Sequence, residues 1–244
     1  QTITFNSLSG VTFGVSPQSE TATASSGLGV TFSVSGPCTL SGSTVTITGA
    51  GTCSITASQS GGTIGGTTYS AATPVTRDLV ISPAPLTITA VVSSASIQYG
   101  GTEATKSYTL SGLQYSDSIT ATTLTFTSSS PSYNSMTVPT AAGTYALTPS
   151  NPVFGTGSSS NYTISYVTTT YTISQKSLTI TASSHAVTTG DPIPTITPSY
   201  NSFAGSESVS DLTGTQTCST TYTTSSAAGS YPTSCSGYSS SNYS

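Results

Sequence analysis

Apolar residues occupy every second position in short stretches along the whole chain. Examples are VTFSV (30–34), TVTIT (44–48), CSITAS (53–58), LTITAVV (86–92), NYTISYV (161–167) and LTITAS (178–183). This alternation predicts β-strands with one buried face and one solvated face. Turn-forming clusters such as SGP, SGS, GAG and AAG separate the strands, and no stretch of ten residues has a helical period. The pattern therefore predicts an all-β fold. Short strands at this spacing favour β-sandwiches over a parallel sheet with helical crossovers.

Several stretches of the sequence occur twice. SPAPLTITA (82–90) corresponds to SQKSLTITA (174–182), and AAGTYALTPS (141–150) corresponds to AAGSYPTSCS (227–236). The motif SSSNY also begins at both Ser158 and Ser239. A repeat of about ninety residues is too long for a solenoid and suits tandem sandwiches. We therefore predict three tandem β-sandwich domains at residues 1–83, 84–175 and 176–244, called segments 1, 2 and 3 below.

The second SSSNY is followed only by Ser244, whereas the first continues as TISYVTTTYTIS. In segment 2 this continuation predicts two final strands separated by a turn at residues 168–169, with Tyr162, Ile164 and Tyr166 on one inward face. We expect segment 3 to be incomplete, because four missing inward side chains at about 2 kcal/mol each rival the stability of a small domain, about 5–15 kcal/mol. We expect the missing strands in a continuation of the chain. The alternative is strand addition by another molecule, which would join filament subunits.

Charged residues are rare. Lys, Arg, Asp and Glu make up 4% of the 244 residues, against about 25% in ordinary soluble domains. Low charge and abundant β-formers argue against disorder. A net charge of −4 with three basic residues argues against nucleic-acid binding. No apolar run approaches the roughly 18 residues that span a bilayer, so we predict no membrane insertion of this segment.

The four cysteines form two pairs along the sequence, Cys38 with Cys53 and Cys218 with Cys235. Each pair lies within one segment, near strand ends that a sandwich brings side by side, so we predict two disulfides. Closing loops of this length stabilises a domain by about 3 kcal/mol each. A zinc site is the alternative, but no Cys-x-x-Cys occurs and His185 is the only histidine. Two disulfides indicate an oxidising, extracellular compartment.

The motifs of all three segments resemble known repeat families. Segment 1, with QTITF, ASSGLGVTFSVSGP and VTITGAGTCSITAS, resembles the immunoglobulin-like repeats of large bacterial surface proteins. Segment 2, with LTITA, QYGG (98–101), YTLSGL and NYTISYVTTTYTIS, resembles the MBG domain of the Tyr-Gly-X type. Segment 3, with LTITA, TGDPIPTITPSY and GSYPTSCSG, resembles the same family, but Thr189 stands where the family has Tyr. The resemblance implies tandem immunoglobulin-like β-sandwich domains in an extended array. It implies no catalytic residues for this chain, because none are known in the family.

Candidate catalytic and metal-binding residues are few. His185 has no neighbouring acid or cysteine, and no Gly-x-Ser-x-Gly is present, so we predict no enzymatic activity and no cofactor. Asp191, Glu207 and Asp211 are close enough in sequence to consider calcium. However, they lack the alternating acids of an EF-hand loop, and we predict no metal site.

Two sequons, NYT at Asn161 and NYS at Asn242, occupy equivalent positions in segments 2 and 3. They make N-glycosylation a candidate modification. The alternative, which we favour for a bacterial protein, is that each Asn begins a strand and the following Tyr fills the core.

These features predict a non-enzymatic structural segment of a large extracellular surface protein, such as a stalk, fibre, sheath or adhesin array. Its partners would be further repeats of the same chain or neighbouring copies. The alternative is an adhesive module that binds a carbohydrate or a host surface, which needs a cleft with aromatic side chains. The chain has fourteen tyrosines and no tryptophan, and many of the tyrosines fall on the core-facing period, which disfavours that alternative.

Overall fold

The computed structural model describes all 244 residues, of which 54% lie in β-strands and 2% in helices. The all-β prediction is confirmed. The strands are β1 (Ile3–Phe5), β2 (Val11–Thr12), β3 (Gln18–Ser19), β4 (Ala22–Ala24), β5 (Thr31–Ser35), β6 (Cys38–Ser41), β7 (Thr44–Ile47), β8 (Gly51–Ser58), β9 (Gly61–Ile64), β10 (Thr67–Ser70), β11 (Val75–Ser82), β12 (Ala84–Val92), β13 (Ser96–Gln98), β14 (Lys106–Ser111), β15 (Ser118–Ser129), β16 (Ser132–Ser135), β17 (Gly143–Thr156), β18 (Tyr162–Val167), β19 (Thr169–Ser174), β20 (Thr179–Ala182), β21 (Pro198–Asn201), β22 (Thr213–Thr220) and β23 (Thr233–Ser239). Two single-turn 3₁₀ helices span Ser159–Asn161 and Val209–Asp211.

The chain forms two compact units. Unit 1 comprises Gln1–Ala90, Tyr108–Thr123 and Pro149–Val167, and unit 2 comprises Val91–Ser107, Leu124–Thr148 and Thr168–Ser244. Segment 2 contributes residues to both units, whereas all of segment 1 belongs to unit 1 and all of segment 3 to unit 2. The predicted boundaries of the three segments stay a prediction.

Unit 1 contains a four-stranded sheet in the order β2-β11-β8-β5 and a three-stranded sheet in the order β3-β7-β6. A second three-stranded sheet has β12 between β14 and β18. The inward residues of β8, Cys53, Ile55 and Ala57, are fully buried. Leu86 and Ile88 of β12 belong to the same apolar core. Burial of a Leu or Ile side chain contributes about 1.5–3 kcal/mol, so these alternating positions account for much of the stability of unit 1.

In unit 2, β19 lies between β13 and β17, and β15 pairs with β16. Tyr145 of β17 is the register partner of Tyr171 of β19, and both side chains are buried. The ring of Phe126 lies 5.8 Å from that of Tyr171, centroid to centroid. Two further strand pairs, β20–β21 and β22–β23, belong to segment 3. Backbone hydrogen bonds also join Ser244 to Lys176 and Leu178, at 3.0 Å each.

The two strands predicted at the end of segment 2 are β18 and β19. The chain leaves β18 at Val167 and enters β19 at Thr169, but the strands belong to different sheets. β18 pairs in parallel with β12, and β19 pairs antiparallel with β17. The predicted inward orientation of Tyr166 is wrong, since its side chain is 43% exposed. The second half of β18, an edge strand, extends beyond the core that covers Tyr162.

Both predicted cysteine pairs are disulfide-bonded in the structure. Cys38 of β6 is bonded to Cys53 of β8, with 5.9 Å between their Cα atoms. Cys218 and Cys235 are direct register partners in the β22–β23 pair, with Cα atoms 4.1 Å apart. Each bond therefore ties together two strands of one segment.

Candidate functional site

The first SSSNY motif positions a buried asparagine in unit 1. Residues Ser159–Asn161 form a 3₁₀ turn, and the hydroxyl of Ser158 caps it by accepting from the backbone N–H of Ser160. The turn places Asn161 with only 8% of its surface exposed. Its Oδ1 atom accepts a hydrogen bond of 2.9 Å from the backbone N–H of Ala50. Ala50 lies in the loop between β7 and β8, so Asn161 connects segment 2 to segment 1.

The next residue, Tyr162, is 6% exposed, and its hydroxyl makes two hydrogen bonds. It accepts one from the backbone N–H of Gln114, at 2.9 Å, and donates the other to Oδ2 of Asp117, at 2.7 Å. Gln114 and Asp117 are the ends of one turn, because the N–H of Asp117 donates to the carbonyl of Gln114 at 3.1 Å. The tyrosine hydroxyl is thus satisfied by one compact turn.

An aromatic residue and a glycine from segment 1 complete this arrangement. The ring of Phe13 meets the ring of Tyr162 edge-on, with 5.7 Å between centroids. The adjacent Gly14 has φ +99°, and a Cβ atom there would collide with the side chain of Gln114. The positive φ favours glycine at this position, whereas the flexible side chain of Gln114 could move aside.

The second SSSNY motif has the same arrangement in unit 2. Oδ1 of Asn242 accepts a 2.9 Å hydrogen bond from the backbone N–H of Ala142. Tyr243 is 7% exposed, and its hydroxyl accepts from the N–H of Ala204 at 2.7 Å and donates to Oε2 of Glu207. The N–H of Glu207 donates to the carbonyl of Ala204 at 3.0 Å, which closes the corresponding turn.

An aromatic residue followed by glycine is present here as well. The rings of Tyr99 and Tyr243 meet edge-on, with centroids 5.5 Å apart. Gly100 has φ +74°, and a Cβ atom there would lie 2.5 Å from that of Ala204. The hydroxyl of Tyr99 donates to the second carboxylate oxygen of Glu207. One carboxylate therefore accepts hydrogen bonds from two tyrosines.

The two sites are equivalent, although their sequences differ. In each, the side-chain oxygen of an Asn accepts a hydrogen bond from a backbone N–H in a loop. The hydroxyl of the following Tyr accepts from the N–H of the first residue of a turn and donates to the carboxylate of the last residue of that turn. An aromatic residue followed by glycine packs against the Tyr ring. We call them the unit 1 junction (Phe13, Gly14, Ala50, Gln114, Asp117, Asn161 and Tyr162) and the unit 2 junction (Tyr99, Gly100, Ala142, Ala204, Glu207, Asn242 and Tyr243).

The environment of the junction tyrosines favours their neutral form. Burial, followed by the hydrogen bond to Asp117, raises the pKa of Tyr162 to about 12. The hydrogen bond to the Glu207 carboxylate, followed by burial, raises the pKa of Tyr99 to about 12. Burial is also the largest cause of the raised pKa of Tyr243. These hydroxyls therefore remain donors at neutral pH, and they serve to position the junctions.

The structure places both sequon asparagines in the junctions. The buried side chain of Asn161 has little room for an oligosaccharide, whereas that of Asn242 is half-buried. N-glycosylation, the less favoured interpretation of the two sequons, stays untested, and mass spectrometry would detect it. The following residues, Tyr162 and Tyr243, are both buried.

The other residues considered from the sequence lie apart from one another. Oδ2 of Asp191 accepts from the N–H of Thr188, and Oδ2 of Asp211 accepts from the N–H of Ser208. His185 is exposed, with Nε2 2.9 Å from the hydroxyl of Ser183. No group of three or more His, Cys, Asp or Glu side chains is close enough to bind a metal ion. None of the helices has the length and apolar character needed to cross a membrane.

The family comparison applies to segment 3. Residues 178–244 match the family model of the MBG domain (YGX type). The matched range contains Ala204, Glu207, Asn242 and Tyr243, four of the seven residues of the unit 2 junction. The resemblance of segment 1 to immunoglobulin-like repeats is not confirmed by a family match. No curated protein sequence and no solved structure is significantly similar to the chain.

The partners of the Asn–Tyr motifs could not be identified from the sequence. Ala50 and Ala142 lie in the loops GAGTC and AAGTY, which are similar enough to have suggested a common role. Asp117 and Glu207 are both preceded by serine and stand three residues after the amide that shares the tyrosine hydroxyl. Only the folded structure shows that these alanines and acids form hydrogen bonds with the Asn–Tyr motifs.

Proposed function

We propose that this chain is a non-enzymatic structural segment of a large extracellular surface protein, a stalk, fibre, sheath or adhesin array built from tandem β-sandwich domains. The observation that carries the proposal is the duplicated junction. In unit 1 it binds the Asn–Tyr motif of segment 2 to a loop amide and an aromatic–Gly pair of segment 1. In unit 2 the motif of segment 3 binds the equivalent groups of segment 2.

Each junction restricts motion between neighbouring segments. Its hydrogen bonds are at least partly buried, and a carboxylate accepts one of them in the unit 1 junction and two in the unit 2 junction, which makes these stronger than neutral bonds. The edge-on ring pairs add about 0.5–1.5 kcal/mol each beyond the area that they bury. A stalk needs this property, since flexible joints would let its domains fold back on one another.

Three further features support an extracellular location and a structural role. Two disulfides suit an oxidising compartment. Residues 178–244 match the MBG domain (YGX type) family model, and the motifs of segment 2 resemble the same family. The charged fraction of 4% leaves a hydroxyl-rich surface, so parallel copies would repel each other only weakly.

Two measurements on the whole chain test the proposal. ¹⁵N relaxation should give one rotational correlation time for the amides of segment 1 and for the residues of segment 2 that belong to unit 1. Replacing Asn161 and Tyr162 together by Ala should weaken the coupling and move the two values apart, short of independent tumbling because Leu86 and Ile88 remain in the shared core. Independent tumbling in the unmodified chain would contradict a structural role. A glycan array should show no specific binding, and a glycan bound specifically would instead favour the adhesive module.

A further inference from the structure

Segment 3 contains a third copy of the surface that receives an Asn–Tyr motif. The loop AAGSY (227–231) repeats the sequence of AAGTY (141–145), and the two loops share one side-chain hydrogen bond. The hydroxyl of Tyr231 donates to the carbonyl of Ala227 at 2.7 Å, as that of Tyr145 donates to the carbonyl of Ala141 at 2.8 Å. Ala228 therefore corresponds to Ala142, whose N–H is bound by Asn242.

This third surface has no partner in the structure. Ala228 is exposed, and its N–H makes no hydrogen bond. Gly190 corresponds to Gly14 and Gly100 and shares their positive φ, here +95°, but no atom lies within 4 Å of its added Cβ position. An open cavity of about 340 Å³ lies beside Ala228 and Thr189, the residue before Gly190; its lining also includes Thr188, Tyr222, Ala227 and Tyr231.

We propose that the surface around Ala228 and Gly190 is the docking site for a further unit of the same repeat, which presents an Asn–Tyr motif and an acidic turn. The inference rests on the proposed structural role. The Asn amide of the incoming unit accepts from the N–H of Ala228, and its Tyr ring enters the cavity. The first residue of its acidic turn lies against Gly190, where a side chain would obstruct it.

The third surface lacks the aromatic ring that covers the junction tyrosine in the other two. Phe13 and Tyr99 each cover the junction tyrosine with a ring, whereas the corresponding residue in segment 3 is Thr189. The missing ring leaves room beside the incoming Tyr, so this junction is weaker than the other two. Tyr222, whose hydroxyl donates to the carbonyls of Thr188 and Asp191, holds the Thr189–Gly190 turn in place.

The test is an extended chain, residues 1–244 followed directly by a copy of residues 164–244. Because Tyr243 and Ser244 correspond to residues 162 and 163, the copy continues the repeat in register. Its own Asn242 is then expected to meet Ala228. Amide hydrogen exchange at Ala228 is compared between the original and the extended chain, with Ala50 and Ala142 as protected references in the same molecule.

Extension should slow exchange at Ala228 by about fivefold or more, the effect of one hydrogen bond. Replacing Asn242 of the copy by Ala should abolish this protection, whereas replacing the adjacent, exposed Ser241 of the copy by Ala should leave it unchanged. Thr189→Tyr in the original residues 1–244 of the extended chain should slow exchange at Ala228 by a further two- to tenfold or so, because it restores the ring pair.

Unchanged exchange at Ala228, with a folded copy, would overturn the proposal. A second extended chain has residues 164–175 appended to complete segment 3, followed by a copy of residues 84–175. This copy presents Asn161 to Ala228 and must give the same protection there. Loss of protection at Ala50 and Ala142 would contradict the proposed function itself. Protection at these two residues, with none at Ala228 in either extended chain, would contradict only the third docking site.

Discussion

The substitution Tyr162→Phe removes one oxygen atom from the unit 1 junction and leaves the ring. The ring contacts with Phe13 and Phe154, at 5.7 Å between centroids, are retained. What is lost is the hydrogen bond from the N–H of Gln114 and the hydrogen bond to Asp117. The variant therefore isolates the polar part of the junction.

The expected loss in the free energy of unfolding is about 2–3 kcal/mol. A neutral hydrogen bond contributes about 0.5–1.5 kcal/mol and one to a charged group about 1.5–3 kcal/mol. Gln114 and Asp117 are both half-buried, so water replaces part of the lost interaction. The expected loss is therefore below the upper limit of the sum.

The assay is urea denaturation at pH 7, followed by far-UV circular dichroism, with Tyr166→Phe as the matched control. Tyr166 lies on the same strand, is 43% exposed and makes no hydrogen bond through its hydroxyl. Its replacement should change the free energy of unfolding by less than about 0.5 kcal/mol. If Tyr162→Phe costs no more than Tyr166→Phe, the two hydrogen bonds of Tyr162 do not stabilise the junction.

Three further predictions follow from the same structure. The stability contributed by Tyr162 should be complete below about pH 10 and lost as the pH rises towards about 12, since the unfolded phenol ionises first; Tyr162→Phe should flatten this alkaline decline, measured by thermal unfolding against pH. Removing the disulfide Cys38–Cys53 or Cys218–Cys235 by paired Ser substitutions should cost about 3 kcal/mol each, and non-reducing peptide mapping that found another pairing would contradict the structure. Screens for hydrolase and transferase turnover should be negative, and an activity abolished by replacing His185 would show otherwise.

The sequence could predict the strands whose alternation lies over the core. For example, LTITAVV lies in β12, and its alternating residues Leu86, Ile88 and Ala90 are all buried, as predicted. The buried position predicted for Tyr166 was wrong, because the alternation of residues continues to the end of β18 although the core does not extend that far. The cysteine pairs could also be inferred, because each pair lies within one segment and closes a short loop.

The pairing of β12 with β18 could not be predicted from the sequence. These strands run parallel, from Ala84 with Tyr162 to Thr89 with Val167, although about seventy-eight residues separate them and no α-helix connects them. The roles of the junction acids, Asp117 and Glu207, could not be predicted from the sequence either. QYSD (114–117) and AGSE (204–207) share only a serine before the acid and the spacing between an amide and a carboxylate. That spacing indicates a site only once a tyrosine hydroxyl is seen to contact both groups.

Amide hydrogen exchange at Ala50 and Ala142 is the most direct test of the duplicated junction. Each amide has a single acceptor, the side chain of Asn161 or of Asn242. In the unmodified chain both should exchange more slowly than the unbound amide of Ala228. Asn161→Ala should accelerate exchange at Ala50 alone, and Asn242→Ala at Ala142 alone, by about fivefold or more. Exchange at Ala50 and Ala142 as fast as at Ala228 in the unmodified chain, or unaffected by either substitution, would contradict the account.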